Sequence, residues 1–187
     1  FSVLTASRLD PRKRIDLAVR VVAQAHEQLP TLQFDIYGKG GEADNLRHLI
    51  QELAAQDYIH LRGHADLKQI YPCYQAYLTT SQWETFGLTL MEATGAGLAL
   101  LGFDARYGNP TFIKEGENGF LVPYSETMPE EQLVKEMADK LVQLFESDLA
   151  PFHQASYNLA SSYLASHVQE LWKETLIEMG QLSEKAI

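Results

Sequence analysis

Short runs rich in β-branched and aromatic residues alternate along this chain with longer stretches of helical periodicity. Phe1 to Ala6, Phe34 to Tyr37, Ile59 to Leu61, Ala76 to Thr80, Leu98 to Gly102 and Gly119 to Val122 read as strands. Between them Ile15, Leu17, Ala18, Val21, Val22, Ala25 and Leu29 share one helical face. Leu46, Leu49, Ile50 and Leu53 do the same, as do Leu133, Met137, Leu141 and Leu144. This βαβαβ order predicts an α/β fold, a doubly wound, Rossmann-like parallel sheet. Ligands of such sheets bind beyond the carboxyl ends of the strands, near a topological switch point. The expected organisation is one domain over residues 1–147, followed by C-terminal helices over 148–187 that pack on it or on an absent N-terminal domain. Trp172 faces one or the other.

Composition narrows the function. The 187 residues are 45% hydrophobic, enough for one sizeable core. A formal net charge of −10 excludes an extended nucleic-acid footprint, so any anion site must be local. The single cysteine, Cys73, excludes an intrachain disulfide and suits a reducing compartment. No apolar run reaches the ~20 residues of a membrane span, and no signal-peptide pattern opens the chain. A cytoplasmic location is expected, or a peripheral one at the inner face of the membrane. Because Phe1 already begins a strand, the chain reads as a fragment lacking its N-terminal part.

The candidate chemistry lies in loops that follow strands. After the first strand, Ser7-Arg8-Leu9-Asp10-Pro11-Arg12-Lys13-Arg14 gathers four cations, of which two could clamp a diphosphate. As a bare charge run it is equally a solvated basic loop. Gly38-Lys39-Gly40-Gly41 follows the second strand, where glycines either let a ligand approach backbone or make a turn. In Glu84-Thr85-Phe86-Gly87-Leu88-Thr-Leu-Met-Glu92, two carboxylates flank a predicted helix start. Free N–H groups of Phe86 to Leu88 would favour an anion there. Glu92, on the second turn, would reach another part of a long ligand. A glycosidase also uses paired carboxylates, but has no use for a diphosphate cradle. No Asp-x-Asp occurs, and no metal or cofactor is expected.

Taken together, Ser7-Arg8-Leu9 with Lys13, Gly38-x-Gly40 and Glu84-x7-Glu92 resemble the C-terminal nucleotide-sugar domain of retaining GT-B glycosyltransferases, glycosyltransferase family 4. The likeness is collinear from Phe1 to about Phe145 and includes Ile113-Lys-Glu-Gly-Glu-Asn118-Gly119-Phe-Leu-Val-Pro123. Within that family, Glu84 to Glu92 and Arg106-Tyr-Gly-Asn109 look like poly(glycerol-phosphate) α-glucosyltransferases and accessory-Sec glycosyltransferases of serine-rich adhesins. The resemblance implies the C-terminal half of a GT-B fold. It also implies a UDP-sugar donor carrying glucose or N-acetylglucosamine, and a teichoic acid or serine-rich protein acceptor. Arg8 and Lys13 would hold the diphosphate, Glu84 the hexose and Glu92 the ribose. Gly38 and Gly40 would border the nucleotide, Ile59 would lie near the base, and Thr85, Phe86, Gly87 and Leu88 would line the phosphates. Glu84, Arg8 and Lys13 are the catalytic candidates. Thr85 stands where the family commonly has glycine, and its β-branch narrows the backbone there. The alternative is a non-catalytic GT-B-like partner or chaperone subunit in a protein glycosylation complex.

Overall fold

The computed structural model describes residues 1–179. Six strands form one parallel sheet: β1 (Ser2–Ala6), β2 (Gln33–Tyr37), β3 (Ile59–Gly63), β4 (Ala76–Thr79), β5 (Ala99–Phe103) and β6 (Gly119–Val122). Their order is β3-β2-β1-β4-β5-β6, so the direction of winding reverses between β1 and β4. There the connections leave in opposite directions and open a crevice at the carboxyl edge.

Both faces of the sheet are covered, which is why its strands are apolar at consecutive positions. Val3, Phe34, Ile36, Leu78 and Leu101 face a core shared with α1 (Ile15–His26), α2 (Ala43–Glu52) and α6 (Glu130–Glu146). Alternate positions, Leu4, Tyr77 and Leu100, face a second core. That core takes in Tyr71 from the 3-10 turn before β4, Leu90 and Ala93 of α4 (Leu88–Gly95), and Phe112 of α5 (Gly108–Phe112). The short α3 (Leu67–Ile70) lies on the connection from β3 to β4.

The expected helical tail is two helices, α7 (Ala150–Ser161) and α8 (Ala165–Glu178). α7 docks on the sheet domain: Ser156 donates to Leu98 O at 2.7 Å, and Phe152 packs on Phe120. Gly97, at φ +75°, clears the Tyr157 ring, which a β-carbon would strike at 2.3 Å. α8 buries no residue, and Trp172 is 62% exposed, so it does not belong to this core. Residues 180–187 of the expected tail lie outside the described residues.

Candidate active site

The basic loop sorts its four cations by their partners. Asp10 accepts from the Arg12 N–H at 3.1 Å, which starts a 3-10 turn over Pro11–Lys13, and Arg14 leaves that turn at φ +46°. The Asp10 carboxylate lies 3.5 Å from Arg8 and 3.6 Å from Arg12, whose side chains stay largely in solvent. Arg14 is drawn away to Asp16 at 2.9 Å and Glu130 at 2.5 Å. Its hydrogen bond to Asp16 raises the guanidinium pKa further, against the opposing effect of burial. Thr80 donates to Lys13 O and Arg14 O at 3.1 and 2.7 Å, tying the loop to the end of β4.

Lys13 therefore points inward, where its Nζ meets Glu84 Oε2 at 2.5 Å. Glu84 is held by its backbone as well. Its N–H donates to Arg106 O at 3.0 Å, and its carbonyl accepts from Tyr107 and Gly108, both at 2.7 Å. Gly108 makes this crossing possible, since a β-carbon there would lie 2.5 Å from Phe86 O and 3.0 Å from Glu84 Cγ. Gly87, at φ +83°, caps α4, and the first helical hydrogen bond runs from Met91 N to Gly87 O. The helix thus opens at Leu88, two residues later than the sequence implied. Its free N–H groups belong to Leu88 and the residues just after it rather than to Phe86. Phe86 and Thr85 precede it, with the Phe86 ring packed edge-on against Phe112 at 5.3 Å.

Two contiguous concavities share Ala6, Ser7 and Thr89. One, of about 10 Å³, is lined by Glu84, Ser81 and Asn109. The other, of about 320 Å³, is lined by Arg8, Gly38, Lys39, Tyr37 and His64. The switch-point crevice thus joins the loops after β1, β2, β3 and β4. A larger open concavity of about 1080 Å³ lies between α1 and the start of α6. Its charged wall is Arg20 against Glu27, Glu130 and Glu131, the wrong balance for a diphosphate.

Gly40 does not line the crevice. A β-carbon on Gly38 would come within 1.8 Å of Ser7 O, and one on Gly40 within 2.1 Å of Leu9 O. These glycines let two loops pack backbone to backbone, through Ser7 N to Tyr37 O and Leu9 N to Lys39 O, both 3.0 Å. Ile59 is also elsewhere. It sits at the amino end of β3, paired with Phe34 and 2% exposed, so it serves the core at the far edge of the sheet. A parallel strand presents its last residues to the crevice, and His64 just after β3 takes that place. Sequence reading missed His64, Lys39 and Tyr37, although each ends or follows a strand. Glu92 lies one turn beyond Thr89, bordering a concavity with Tyr157 and Tyr163. Its carboxylate accepts from Tyr71 at 3.2 Å. Among the described residues no group of three His, Cys, Asp or Glu side chains converges as a metal site.

A six-stranded doubly wound sheet with cations, a paired carboxylate and a helix N-terminus at its switch point defines the nucleotide-binding class of α/β domain, here in the form of one half of a GT-B fold. The chain belongs to the family of glycosyl transferases group 1, whose model matches residues 1–148. It is 52% identical over 180 residues to the UDP-N-acetylglucosamine--peptide N-acetylglucosaminyltransferase GtfA subunit of Streptococcus gordonii, covering 96% of this chain and 36% of that protein. The solved pneumococcal O-GlcNAc transferase GtfA, in complex with UDP and GlcNAc, is 50% identical with a TM-score of 0.90. That match covers 95% of this chain and 35% of the other. Poly(ribitol-phosphate) alpha-N-acetylglucosaminyltransferase of Staphylococcus aureus (strain COL) is 30% identical over 172 residues, covering 89% of this chain and 33% of that protein. The chain thus spans about a third of the length of the relatives it matches.

Proposed function

We propose that this chain is the donor-binding half of a retaining hexosyltransferase. On this reading it moves N-acetylglucosamine, or glucose, from UDP to a hydroxyl of a serine-rich protein. The observation that carries the reading is the meeting of Lys13 with Glu84 beside the N-terminus of α4, at the switch point between β1 and β4. Breaking the sugar–phosphate bond leaves negative charge on the departing UDP. Arg8, Lys13 and the first N–H groups of α4 would stabilise that charge as fixed donors that need no reorganisation. Glu84 would then exchange Lys13 for hydroxyls of the hexose, and Glu92 would read the ribose. No divalent metal is required on this account.

The 52% identical relative from Streptococcus gordonii favours a peptide acceptor and N-acetylglucosamine, whereas a poly(ribitol-phosphate) acceptor belongs to the 30% identical one from Staphylococcus aureus. The Streptococcus gordonii relative is a subunit, and a similar GtfA has been solved in a GtfA/B complex, which supports a partner chain here; a cytoplasmic setting fits a nucleotide-sugar donor. Acceptor contacts are assigned to an N-terminal domain, so the 187 residues alone should bind UDP weakly and transfer little.

Calorimetry with UDP, UDP-N-acetylglucosamine and UDP-glucose tests the proposal. Binding that is lost in Arg8→Ala and weakened, but still measurable, in Glu92→Ala supports it. A chain that binds none of the three is instead the non-catalytic partner subunit.

A further inference from the structure

Glu92 differs from the other carboxylate of the site in how it is held. Glu84 has a cation and three backbone hydrogen bonds. Glu92 is exposed on α4, and among the described residues no cation lies within ion-pair distance of it. Its side-chain hydrogen bond comes from a residue on another element, Tyr71, which opens the 3-10 turn before β4. The Tyr71 ring is 2% exposed beneath α4, and its hydroxyl lies 3.0 Å from Thr89 O and 3.2 Å from Glu92 Oε2.

An unrestrained glutamate on a helix surface samples several rotamers, and ordering it on binding carries an entropic cost. A buried hydroxyl aimed at one carboxylate oxygen removes part of that cost beforehand. We infer that Tyr71 is a positioning residue for Glu92, fixing Oε2 from below so that the carboxylate meets the vicinal hydroxyls of a ribose.

The chemistry of the donor suits the role. Burial pushes the Tyr71 hydroxyl well above the usual phenol range, so it keeps its single proton, which it shares between the Thr89 carbonyl and the Glu92 carboxylate. A lysine in its place would neutralise Glu92, whereas a neutral donor leaves the full negative charge to accept ligand hydroxyls. The neighbouring buried Tyr77 makes a useful contrast. Its hydroxyl meets Ala6 O and Thr89 Oγ1, both at 2.9 Å, and does not touch Glu92.

The inference rests on the proposed ribose role of Glu92, and the test separates the two. UDP and 2′,3′-dideoxy-UDP are titrated into the 187-residue chain and its Tyr71→Phe, Tyr77→Phe and Glu92→Ala variants, with thermal unfolding as a check on folding. The wild type should prefer UDP by tenfold or more, Glu92→Ala should abolish the preference, Tyr71→Phe should reduce it at least threefold, and Tyr77→Phe should leave it intact. Equal preference in the wild type and Tyr71→Phe overturns the positioning role. Equal preference in the wild type and Glu92→Ala, with UDP still bound, overturns the ribose reading instead. A ratio lost equally in Tyr71→Phe and Tyr77→Phe would reduce Tyr71 to general packing.

Discussion

Lys13 Nζ lies 2.5 Å from Glu84 Oε2, with only 17% and 21% of the two side chains exposed. The pair staples the loop after β1 to the loop after β4. Truncation to Lys13→Ala leaves Glu84 half-buried without its cation, and an unpaired charge at that depth costs about 1–3 kcal/mol. Urea unfolding should register that loss, and UDP affinity should fall by tenfold or more. Lowered stability with unchanged UDP affinity would confine Lys13 to a structural role.

The glycines after β2 make a second, contrasting set. Gly38 is at φ +143° with Ser7 O in the space of a β-carbon, and Gly40 meets the Leu9 backbone in the same way. Gly41 has nothing within 4 Å and an ordinary φ. Gly38→Ala and Gly40→Ala should each cost about 2 kcal/mol or more, because backbone must move, while Gly41→Ala should stay within about 0.5 kcal/mol. Chemical denaturation of the three variants checks the ranking. Uniform, small effects would mean the two loops can part without loss.

Those glycines also explain what sequence could and could not disclose. Strand positions were legible because residues such as Leu100 and Leu101 are buried on opposite faces and leave an apolar run. Lys13 and Glu84 were legible as chemistry from their loops. Ile59 was misassigned because a strand's composition does not tell which of its ends faces the crevice; the parallel register with Phe34 does. The split among Arg8, Arg12, Lys13 and Arg14 was equally hidden, since Asp16, Glu130 and Thr80 decide it from other elements. Tyr71 gave no signal, because a buried tyrosine before a strand reads as core.

The proposed phosphate site carries its own positive charge, from Arg8, Lys13 and the start of α4, so UDP affinity should be the same in EDTA as in magnesium or manganese. Parallel titrations decide it. Binding that appears only with the divalent ion would show that the protein cations are insufficient.

Alkaline pH should unfold the domain through its buried phenols. Burial raises Tyr71, and pushes Tyr77 up to about 12, from an unfolded value of 10.0. The native state therefore keeps protons that the unfolded chain releases. Stability from these groups is complete below pH 10 and is lost as the pH climbs toward the folded values, by about 1.4 kcal/mol per pH unit for each tyrosine. Urea melts between pH 8 and 11 should show the decline, and Tyr77→Phe should flatten its slope by one such increment. An unchanged slope would mean that Tyr77 ionises without unfolding.

The two C-terminal helices should differ sharply in what they contribute. α7 is fastened by Ser156 to Leu98 O and by Tyr157 over Gly97, so Gly97→Ala, which drives a β-carbon into that ring, should cost about 2 kcal/mol or more. α8 presents Val168, Leu171 and Trp172 to solvent, and only Leu176 and Ile177 among its apolar residues are partly covered. With so little apolar area withdrawn from water, its contribution to folding is small. A chain ending after Leu164 should keep its midpoint of thermal unfolding within about 3 °C, equivalent to less than 1 kcal/mol for a domain of this size. A larger drop would mean that α8 packs on the sheet domain in solution, and Trp172 emission moving to longer wavelength on unfolding of the intact chain would report the same docking independently.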